Sequence, residues 1–391
     1  MLAGSAPSAA DYLQGLFENY DAARAALTGS GGFAKKSKVA VVYMCFERQK
    51  IILAALAALF KSEGLRDFDV FISQDGGSNY RVELPDEASN FNLLYIRHPA
   101  NLCPGQHHYF VKSFVFDIMR YEALIVVEED NIVHPDAIQM LYGMLRLTAN
   151  DPQIGLVAVT DMDNSLLIDE SKHSNGVMRA EIHQGHLWVF GMHATRYQVV
   201  RQDLRDYFNV ILGKNYIMKD QPPLRDEIAA LHRIKGFAEN TELSQDAFFV
   251  NSLEKAGYSR RMTTMVRLFE PVGWSGLHFQ SDPAVFYGVY GRGMYEGRVT
   301  EPPVEVGATK ESQESLKEDC LVRLNRLYRQ YLGRSADEGA AKAAVWRLLN
   351  SKLNAVELMR NVLNSAEHQR RMKSFATRGG GRVGQRSASA P

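Results

Sequence analysis

The stretch Ala123-Leu124-Ile125-Val126-Val127-Glu128-Glu129-Asp130 decides how the rest of the chain can be arranged. It begins as an apolar, β-branched run, which is typical of a strand buried on both faces of a sheet. It ends in three adjacent carboxylates, which repel one another unless water or a cation lies among them. Ligands bind outside the carboxyl ends of strands in α/β sheets, and hard oxygen ligands suit Mg²⁺ or Mn²⁺. The stretch therefore indicates either a solvated acidic turn or a metal site that meets a phosphate.

Strand and helix patterns alternate around this stretch. Strands are predicted at 39–46, 69–73, 93–96, 154–159 and 263–269, and helices at 49–61, 109–121, 136–147, 203–212, 224–235 and 244–256. Such alternation predicts an α/β fold with a mainly parallel sheet and helices on both faces. Polar residues recur where the early strands stop, so we expect a polar crevice along one edge of the sheet.

Composition narrows the class of protein. The chain has 391 residues, 45 basic and 45 acidic side chains and three cysteines. This charge balance gives no global attraction for nucleic acid, and so few cysteines favour a reducing compartment. The first residues carry no secretion signal, and the longest apolar run, 51–60, is too short to span a bilayer. We therefore expect a cytoplasmic protein that binds no nucleic acid.

Several common enzyme motifs are absent from the α/β part of the sequence. The α/β domain contains no GxGxxG, no GxxxxGK[ST] and no GxSxG pattern. These absences disfavour a dinucleotide-binding dehydrogenase, a P-loop NTPase and an α/β-hydrolase.

Five segments follow from the changes in pattern along the chain. An amphipathic helix and linker (1–36) precede the α/β domain (37–280). A Gly- and Pro-rich linker arm (281–315), a small helical domain (316–374) and a disordered basic tail (375–391) complete the chain. The tail suits either a solvated end or a peripheral contact with anionic lipids at the inner membrane.

Three motifs taken in order resemble nucleotide-sugar glycosyltransferases of the GT-A fold, and most of all the N-acetylglucosaminyltransferase I type. They are Glu47-Arg48 after the first strand, Ser73-Gln74-Asp75-Gly76-Gly77 after the second, and the acidic stretch itself. Thr160-Asp161-Met162-Asp163-Asn164 echoes a fourth motif of that family. The resemblance spans roughly residues 37–280.

The resemblance implies donor-binding roles for five residues. Arg48 would contact the phosphates of the donor, and Asp75 would accept a hydrogen bond from the uracil. His107 would lie beside the base, although Gln106-His107-His108 allows a shift of one position. Glu128 and Glu129 would contact the ribose or hold the site together.

The resemblance also implies metal, acceptor and catalytic residues. Asp130 would ligate Mn²⁺ or Mg²⁺ directly, and His278 would be either a second ligand or a structural loop residue. Trp188 would lie on the acceptor side. Asp246 would be the catalytic base, but the family has an aromatic-Asp-Asp pattern where this chain has Gln245-Asp246-Ala247. That departure leaves Glu242 as an alternative base, and a charge that stabilises a helix N-terminus as an alternative role for Asp246.

The C-terminal segment resembles a small helical domain of unknown function that is appended to many bacterial surface and secreted proteins. The matching residues are Tyr328 to Arg334, Asp337, Gly339, Trp346 and Ser365-Ala366-Glu367-His368. This likeness implies a bacterial source and a docking role towards a protein partner or an acceptor.

Together these features predict a metal-dependent glycosyltransferase of bacterial polysaccharide biosynthesis. The donor would be a UDP-sugar such as UDP-GlcNAc, and the acceptor a glycan, lipid or protein hydroxyl, with inversion. Two alternatives remain open. A sugar nucleotidyltransferase would carry a Gly-rich basic loop after the first strand, which 43–48 lacks. A non-catalytic carbohydrate-binding or scaffold protein would be expected to have lost the acids, which are all present.

Overall fold

The structure is a computed structural model. It describes residues 7–29, 32–160, 176–182, 187–275, 282–299 and 301–305, together with the isolated positions 324, 325, 328, 329, 335, 337 and 341. The chain divides into two compact units, residues 1–281 with 292–307 and residues 282–291 with 308–391. The first unit contains the sheet and the candidate site.

A nine-stranded sheet forms the centre of the first unit among the described residues. Its strands are β1 (Val39–Cys45), β2 (Asp69–Gln74), β3 (Asn92–Arg97), β4 (Ala123–Glu128), β6 (Ile154–Ala158), β7 (Gly176–Glu181), β8 (Val189–His193), β9 (Arg260–Thr264) and β11 (Val304–Glu305). They lie in the order β11-β7-β9-β6-β8-β4-β1-β2-β3. The run from β3 to β4 is parallel, and β8 pairs antiparallel with β4 and β6. The prediction of an α/β fold with a mainly parallel sheet is confirmed.

Helices cover both faces of this sheet. They are α3 (Gln49–Leu59), α4 (Cys103–Ser113), α5 (Ala137–Thr148), α6 (Ala194–Ile211), α7 (Leu224–Lys235) and α8 (Gln245–Lys255). Alternate residues of each strand point to opposite faces, so Val42 and Val126 join the core under α4, α6 and α8, while Val41 and Val127 join the core under α3 and α5. Both cores are continuous apolar clusters, which explains why the central strands read as unbroken apolar runs.

The N-terminal segment forms two helices, where the sequence predicted one. These are α1 (Ala9–Glu18) and α2 (Tyr20–Thr28). Asn19 has an extended backbone, and its side chain accepts a hydrogen bond from the backbone N–H of Ala22 over 3.0 Å. An asparagine in this position starts a new helix and interrupts the previous one. Leu13 and Phe17 of α1 are buried in the core that also contains α4 and α6.

Three other element boundaries differ from prediction. α4 begins at Cys103, six residues before the predicted 109, and continues into a π-helical turn, Phe114–Ile118. α6 begins at Ala194, before the predicted start at 203. The sequence did not reveal this first part because its buried residues Arg196 and Tyr197 carry polar groups and so produce no apolar period. The predicted strand at 263–269 is two strands, β9 and β10 (Phe269–Pro271), and β10 pairs with β5 (Asn131–Val133).

The second unit contributes one described helix, α9 (Pro283–Tyr290), in which the ring of Phe286 lies 5.0 Å from that of Tyr290. Most of the predicted helical domain at 316–374 and the whole basic tail at 375–391 lie outside the described residues, as do Asp161 to Asn164. The proposed segment boundaries therefore stay predictions. In the described part of the chain, no helix combines the length and the apolar character needed to cross a membrane.

Candidate active site

The three acids follow β4 because the chain turns there into β5. Glu128 ends the strand, and Asn131 opens a short antiparallel pair in which it lies opposite Pro271 of β10. The backbone carbonyl of Asp130 accepts a hydrogen bond from Val272 N–H over 2.7 Å. This pairing brings Gly273 so close to Asp130 that a Cβ at position 273 would overlap the carboxylate oxygen Oδ2. The loop after β10 therefore forms one wall of the acidic stretch.

Arg48, which follows β1, neutralises two of the acids. Its Nε donates to Glu129, and its Nη2 donates to Asp130 Oδ2 over 2.9 Å. Glu129 also accepts from the backbone N–H of Phe46 over 2.7 Å, so it ties the end of β1 to the end of β4. Burial raises the pKa of Glu129, and the charge of Arg48 opposes this rise. For Arg48, burial lowers the pKa, but Asp130 and Glu129 together raise it by more. The structure brings these three residues together, and their donor and metal contacts stay predictions.

Asp75 lies in the turn after β2, within electrostatic reach of Glu129. Its Oδ1 accepts hydrogen bonds from the backbone N–H groups of Gly76, over 2.9 Å, and Leu102, over 2.6 Å. The turn packs so tightly that a Cβ at Gly76 would lie 2.5 Å from the carbonyl oxygens of His98 and Ala100. Burial raises the pKa of Asp75 to about 7 although these backbone donors lower it. The carboxylate of Asp75 is thus held in a defined position after β2, and its predicted contact with the base stays a prediction.

His107 points into the interior of the domain. Its Nε2 lies 2.8 Å from Ser73 Oγ, which is also 2.9 Å from His98 Nε2, and His98 Nδ1 lies 3.0 Å from the hydroxyl of Tyr12 in α1. Burial lowers the pKa of both imidazoles, that of His98 to about 3, so both are neutral at pH 7. This series of hydrogen bonds links α1 to β2, the strand that directly precedes Asp75. A role for His107 beside the base stays a prediction.

His108, the alternative position in the histidine pair, lies with the acids. Its Nε2 is 3.0 Å from Glu128 Oε1, and its Nδ1 is 3.4 Å from Nζ of Lys112. Asp246, in the first turn of α8, interacts electrostatically with His108, Lys112 and Glu128. Burial raises the pKa of both Asp246 and Glu128; Glu128 raises that of Asp246 further, and Asp130 raises that of Glu128 further. The catalytic base implied by the resemblance therefore shares one cluster with the end of β4.

Trp188 stands directly before β8, opposite the acids. Its backbone carbonyl accepts a hydrogen bond from the N–H of Glu128 over 3.1 Å. Its indole ring is half-buried and meets Phe269 edge-on with ring centroids 6.1 Å apart. An aromatic surface beside a carboxylate is suited to stacking against a sugar, so its predicted place on the acceptor side is compatible with this position.

The oxygen donors at Asp130 fit a divalent cation that arrives with a nucleotide. Asp130 Oδ1 accepts from Asn131 over 3.1 Å and Oδ2 accepts from Arg48, and the side chain is 26% exposed. Glu128 lies within electrostatic reach of Asp130. Across the described ranges, no three His, Cys, Asp or Glu side chains are arranged to hold a metal ion. Mg²⁺ usually takes only one or two carboxylates and completes its shell with phosphates and water. His278 lies outside the described residues.

Sequence reasoning missed Lys112 and named His108 only as the alternative to His107. The signal that could have found them is their spacing of four residues within a helix, which puts the two side chains on one face. Lys112 is only 4% exposed, and a lysine is seldom buried without a specific partner.

The arrangement offers three chemical capabilities at one sheet edge. Arg48 can bind an anion, Asp75 can accept a hydrogen bond from a buried ligand, and Asp246 can accept a proton near Glu128 and Lys112. Burial raises the pKa of Asp75 and of Asp246, and a shifted pKa is common for groups that exchange protons in active sites. A diphosphate-linked substrate with a hydroxyl acceptor uses all three.

Comparison with known proteins gives structural likenesses only. No family model matches the chain, and no curated protein matches it. Staphylococcus aureus TarS 1–349 in complex with UDP has a TM-score of 0.36 at 10% identity, with 87% of this chain and 74% of that chain covered. The Pyrobaculum calidifontis mannosyltransferase PcManGT, in complex with GDP-Man and Mn²⁺, has a TM-score of 0.36 at 10% identity, with 95% and 89% covered. Because both TM-scores are below 0.5, these likenesses do not establish an activity for this chain.

Proposed function

We propose that this chain is a metal-dependent glycosyltransferase. It transfers a hexosyl or N-acetylhexosaminyl group from a UDP-sugar to a hydroxyl group of a glycan, lipid-linked or protein acceptor, with inversion at the anomeric carbon. One observation carries the proposal: the polar groups that follow β1, β2 and β4 interact at one sheet edge. Arg48 bonds Glu129 and Asp130, and Asp75 interacts electrostatically with Glu129.

The donor half of the site is built from Asp75 and Arg48. An ionised carboxylate has about four lone-pair positions, so Asp75 can accept the N3–H of uracil in addition to the backbone donors of Gly76 and Leu102. Arg48 presents a planar set of N–H donors, which suits the oxygens of a diphosphate. The diphosphate replaces part of the negative charge that Glu129 and Asp130 supply to Arg48 in the free protein.

The metal half of the site is Asp130, with Glu128 as a further acid within electrostatic reach. A divalent cation bound there would neutralise the charge that develops on the nucleoside diphosphate as the glycosyl bond breaks. Asp130 is held by Asn131 and by the backbone bond to Val272, so its carboxylate has a defined position before any ligand arrives.

The acceptor half of the site is Asp246 with Trp188. Asp246 takes the proton of the acceptor hydroxyl as that oxygen attacks the anomeric carbon from the side opposite the leaving group. Because the sugar is oxocarbenium-like in the transition state, a carboxylate is a strong enough base. Burial of Asp246 raises its pKa, which makes it a better proton acceptor than an exposed carboxylate.

The test is a donor screen with the full chain. Purified protein is incubated with Mn²⁺ and UDP-, GDP-, CMP- and dTDP-sugars, and the release of free nucleotide into water is measured beside Asp130→Ala and Asp246→Asn. We expect Mn²⁺-dependent release from a UDP-sugar that is lost in Asp130→Ala, while Asp246→Asn still binds UDP but turns over at least a hundredfold more slowly. Neither release nor metal-dependent binding of UDP would overturn the proposal in favour of a non-catalytic protein.

A further inference from the structure

Tyr216 connects the first turns of two helices, α4 and α8, that support the proposed site. It opens a short 3₁₀ helix, Tyr216–Asp220, which follows α6, and its side chain is buried. The ring packs on α4: a Cβ at Gly105 would lie 2.9 Å from Cδ2 and Cε2 of the ring and 2.7 Å from Cδ1 of Ile211. Only a glycine at position 105 lets the tyrosine ring approach the helix this closely.

The chain before Tyr216 is fixed to the same turn of α4 by a buried glutamine. Gln106 accepts a hydrogen bond from Gly213 N–H over 3.0 Å and donates to the carbonyl oxygen of Lys214 over 3.3 Å. The start of α4 also supports the donor half of the site, because Leu102 N–H donates to Asp75 over 2.6 Å. The segment 213–216 therefore rests on the structure that holds Asp75.

The hydroxyl group of Tyr216 meets α8 through one residue. It accepts a hydrogen bond from the backbone N–H of Gln245 over 2.7 Å and donates to the side-chain oxygen Oε1 of the same residue. Gln245 is the first residue of α8, so its N–H has no partner within the helix. Ser244 caps another N–H of this turn, that of Ala247, over 3.2 Å. Tyr216 thus fixes both the backbone and the side chain of the residue directly before Asp246.

The position of this helix start matters for the proposed chemistry. Helix ends fray more easily than helix interiors, and Asp246 lies in the first turn of α8. A general base must lie within hydrogen-bond distance of the proton that it takes. A displacement of about 1 Å can cost about a hundredfold in rate, so a base in a first turn gains from a restraint on that turn.

We propose that Tyr216 is a positioning residue for Asp246. Its hydroxyl group bonds Gln245 while its ring rests on α4, and it thereby holds the first turn of α8 in a fixed place relative to the turn that supports Asp75. The inference rests on the proposed function, because it takes Asp246 as the base. Tyr216 acts through Asp246 and binds neither the donor nor the metal.

The experiment compares wild-type protein with Tyr216→Phe, Asp246→Asn and the double variant that carries both substitutions. The matched control is Tyr121→Phe, because the Tyr121 hydroxyl is also buried and donates to Asp69 Oδ2 over 2.6 Å. Asp69 is the first residue of β2, so this bond lies at the opposite end of that strand from Asp75.

Three quantities are measured for each variant of the full chain. They are kcat and KM for the release of UDP from UDP-GlcNAc with Mn²⁺, the affinity for UDP by calorimetry, and backbone hydrogen exchange of residues 243–249 by mass spectrometry. The first two separate turnover from donor binding, and the third reports on the start of α8 without any substrate.

In Tyr216→Phe we expect kcat to fall at least about tenfold, while KM and the affinity for UDP change less than about threefold. Exchange of residues 243–249 should become at least about tenfold faster. Tyr121→Phe should alter neither kcat nor this exchange. Because Tyr216 acts through Asp246, adding Tyr216→Phe to Asp246→Asn should slow release by less than about twofold. A further tenfold loss in the double variant, an unchanged kcat in Tyr216→Phe, or unchanged exchange would overturn the proposal.

Gln245→Met tests the same contact without altering the buried tyrosine, should Tyr216→Phe not fold. It removes the acceptor Oε1 and leaves the backbone bond, so kcat should fall about threefold with KM unchanged, and not at all in an Asp246→Asn background. An unaltered kcat in Gln245→Met would contradict the inference. Absence of both turnover and UDP binding in wild-type protein would refute the proposed function, whereas the exchange data would still decide whether Tyr216 holds the start of α8.

Discussion

The guanidinium group of Arg48 donates to the carboxylate of Asp130 over 2.9 Å while its Nε donates to Glu129. One cation thus neutralises two adjacent acids at the point where a divalent metal is proposed to bind. A metal ion at Asp130 would compete with Arg48 for the same oxygen. The free site is therefore stabilised by a residue that a diphosphate would later draw towards itself.

Replacing Arg48 by Met should separate these two roles. Mn²⁺ alone should bind about tenfold more tightly, a gain of about 1.4 kcal/mol, because Asp130 and Glu129 lose their internal counter-ion. UDP with saturating Mn²⁺ should bind at least about tenfold more weakly, because a charged phosphate contact is lost. Isothermal titration calorimetry with each ligand measures both changes.

The matched control is Arg225→Met, since Arg225 forms an exposed ion pair with its neighbour Asp226. It should change neither affinity. Weaker binding of Mn²⁺ in Arg48→Met would show that Arg48 organises the metal site instead of competing with it.

Asp75→Asn should weaken nucleotide binding without unfolding the protein. The backbone N–H groups of Gly76 and Leu102 reach the same oxygen, Oδ1, which an amide retains. The remaining group becomes an N–H₂ donor facing the N3–H donor of uracil, so UDP affinity should fall at least about tenfold. Unchanged UDP affinity would show that Asp75 does not contact the base.

The same variant tests the raised pKa of Asp75. In the folded protein this pKa is about 7, above its ordinary 3.8, so the folded state holds a proton that the unfolded state releases. Wild-type stability should therefore increase as pH falls from about 7 towards 4, and this increment should be absent in Asp75→Asn. Thermal unfolding at pH 5 and pH 8 gives the comparison, in which the variant is at least as stable as wild-type at pH 8.

The sequence predicted the central strands well because each is buried on both faces. Val39–Cys45 and Ala123–Glu128 read as unbroken apolar runs, and they lie side by side in the sheet. The acids after β4 were predictable as a cluster because the next residues cannot continue a buried strand. A polar crevice at this edge was also predictable, because the carboxyl ends of parallel strands meet at the same edge of a sheet.

The partners of the individual side chains and some helix boundaries depended on long-range packing that no local sequence pattern encodes. His107 and His108 are neighbours in sequence, yet one bonds Ser73 in the interior and the other bonds Glu128. Only the rotation of α4 on the sheet decides between them. Asn19 looked like an interior residue of one helix until its capping bond to Ala22 defined two.

Tyr12→Phe should destabilise the protein through the hydrogen-bond chain that passes from α1 to Ser73. The hydroxyl of Tyr12 meets buried His98, so its removal leaves an imidazole nitrogen without this partner and should lower the free energy of unfolding by about 1 kcal/mol or more. The control is Tyr80→Phe, because the Tyr80 hydroxyl is buried and has no hydrogen-bond partner among the residues that the structure describes. In urea denaturation the control should be as stable as wild-type or slightly more stable. An equal loss of unfolding free energy in the two variants would contradict a stabilising role for these hydrogen bonds.

Gly273→Ala should disturb the metal site while leaving the fold almost intact. The added methyl group would overlap Asp130 Oδ2 and lie 3.1 Å from Asp130 Cγ, so the carboxylate must rotate away. Because only the end of one side chain moves, we expect a loss of stability of about 1 kcal/mol or less. Mn²⁺ affinity should nevertheless fall at least about tenfold, because a metal ligand misplaced by a fraction of an ångström no longer meets the cation. Gly15→Ala in α1 is the control, since a Cβ there meets nothing within 4 Å. Unchanged Mn²⁺ binding in Gly273→Ala, with the fold preserved, would exclude Asp130 as the ligand and move the metal to another acid of the stretch.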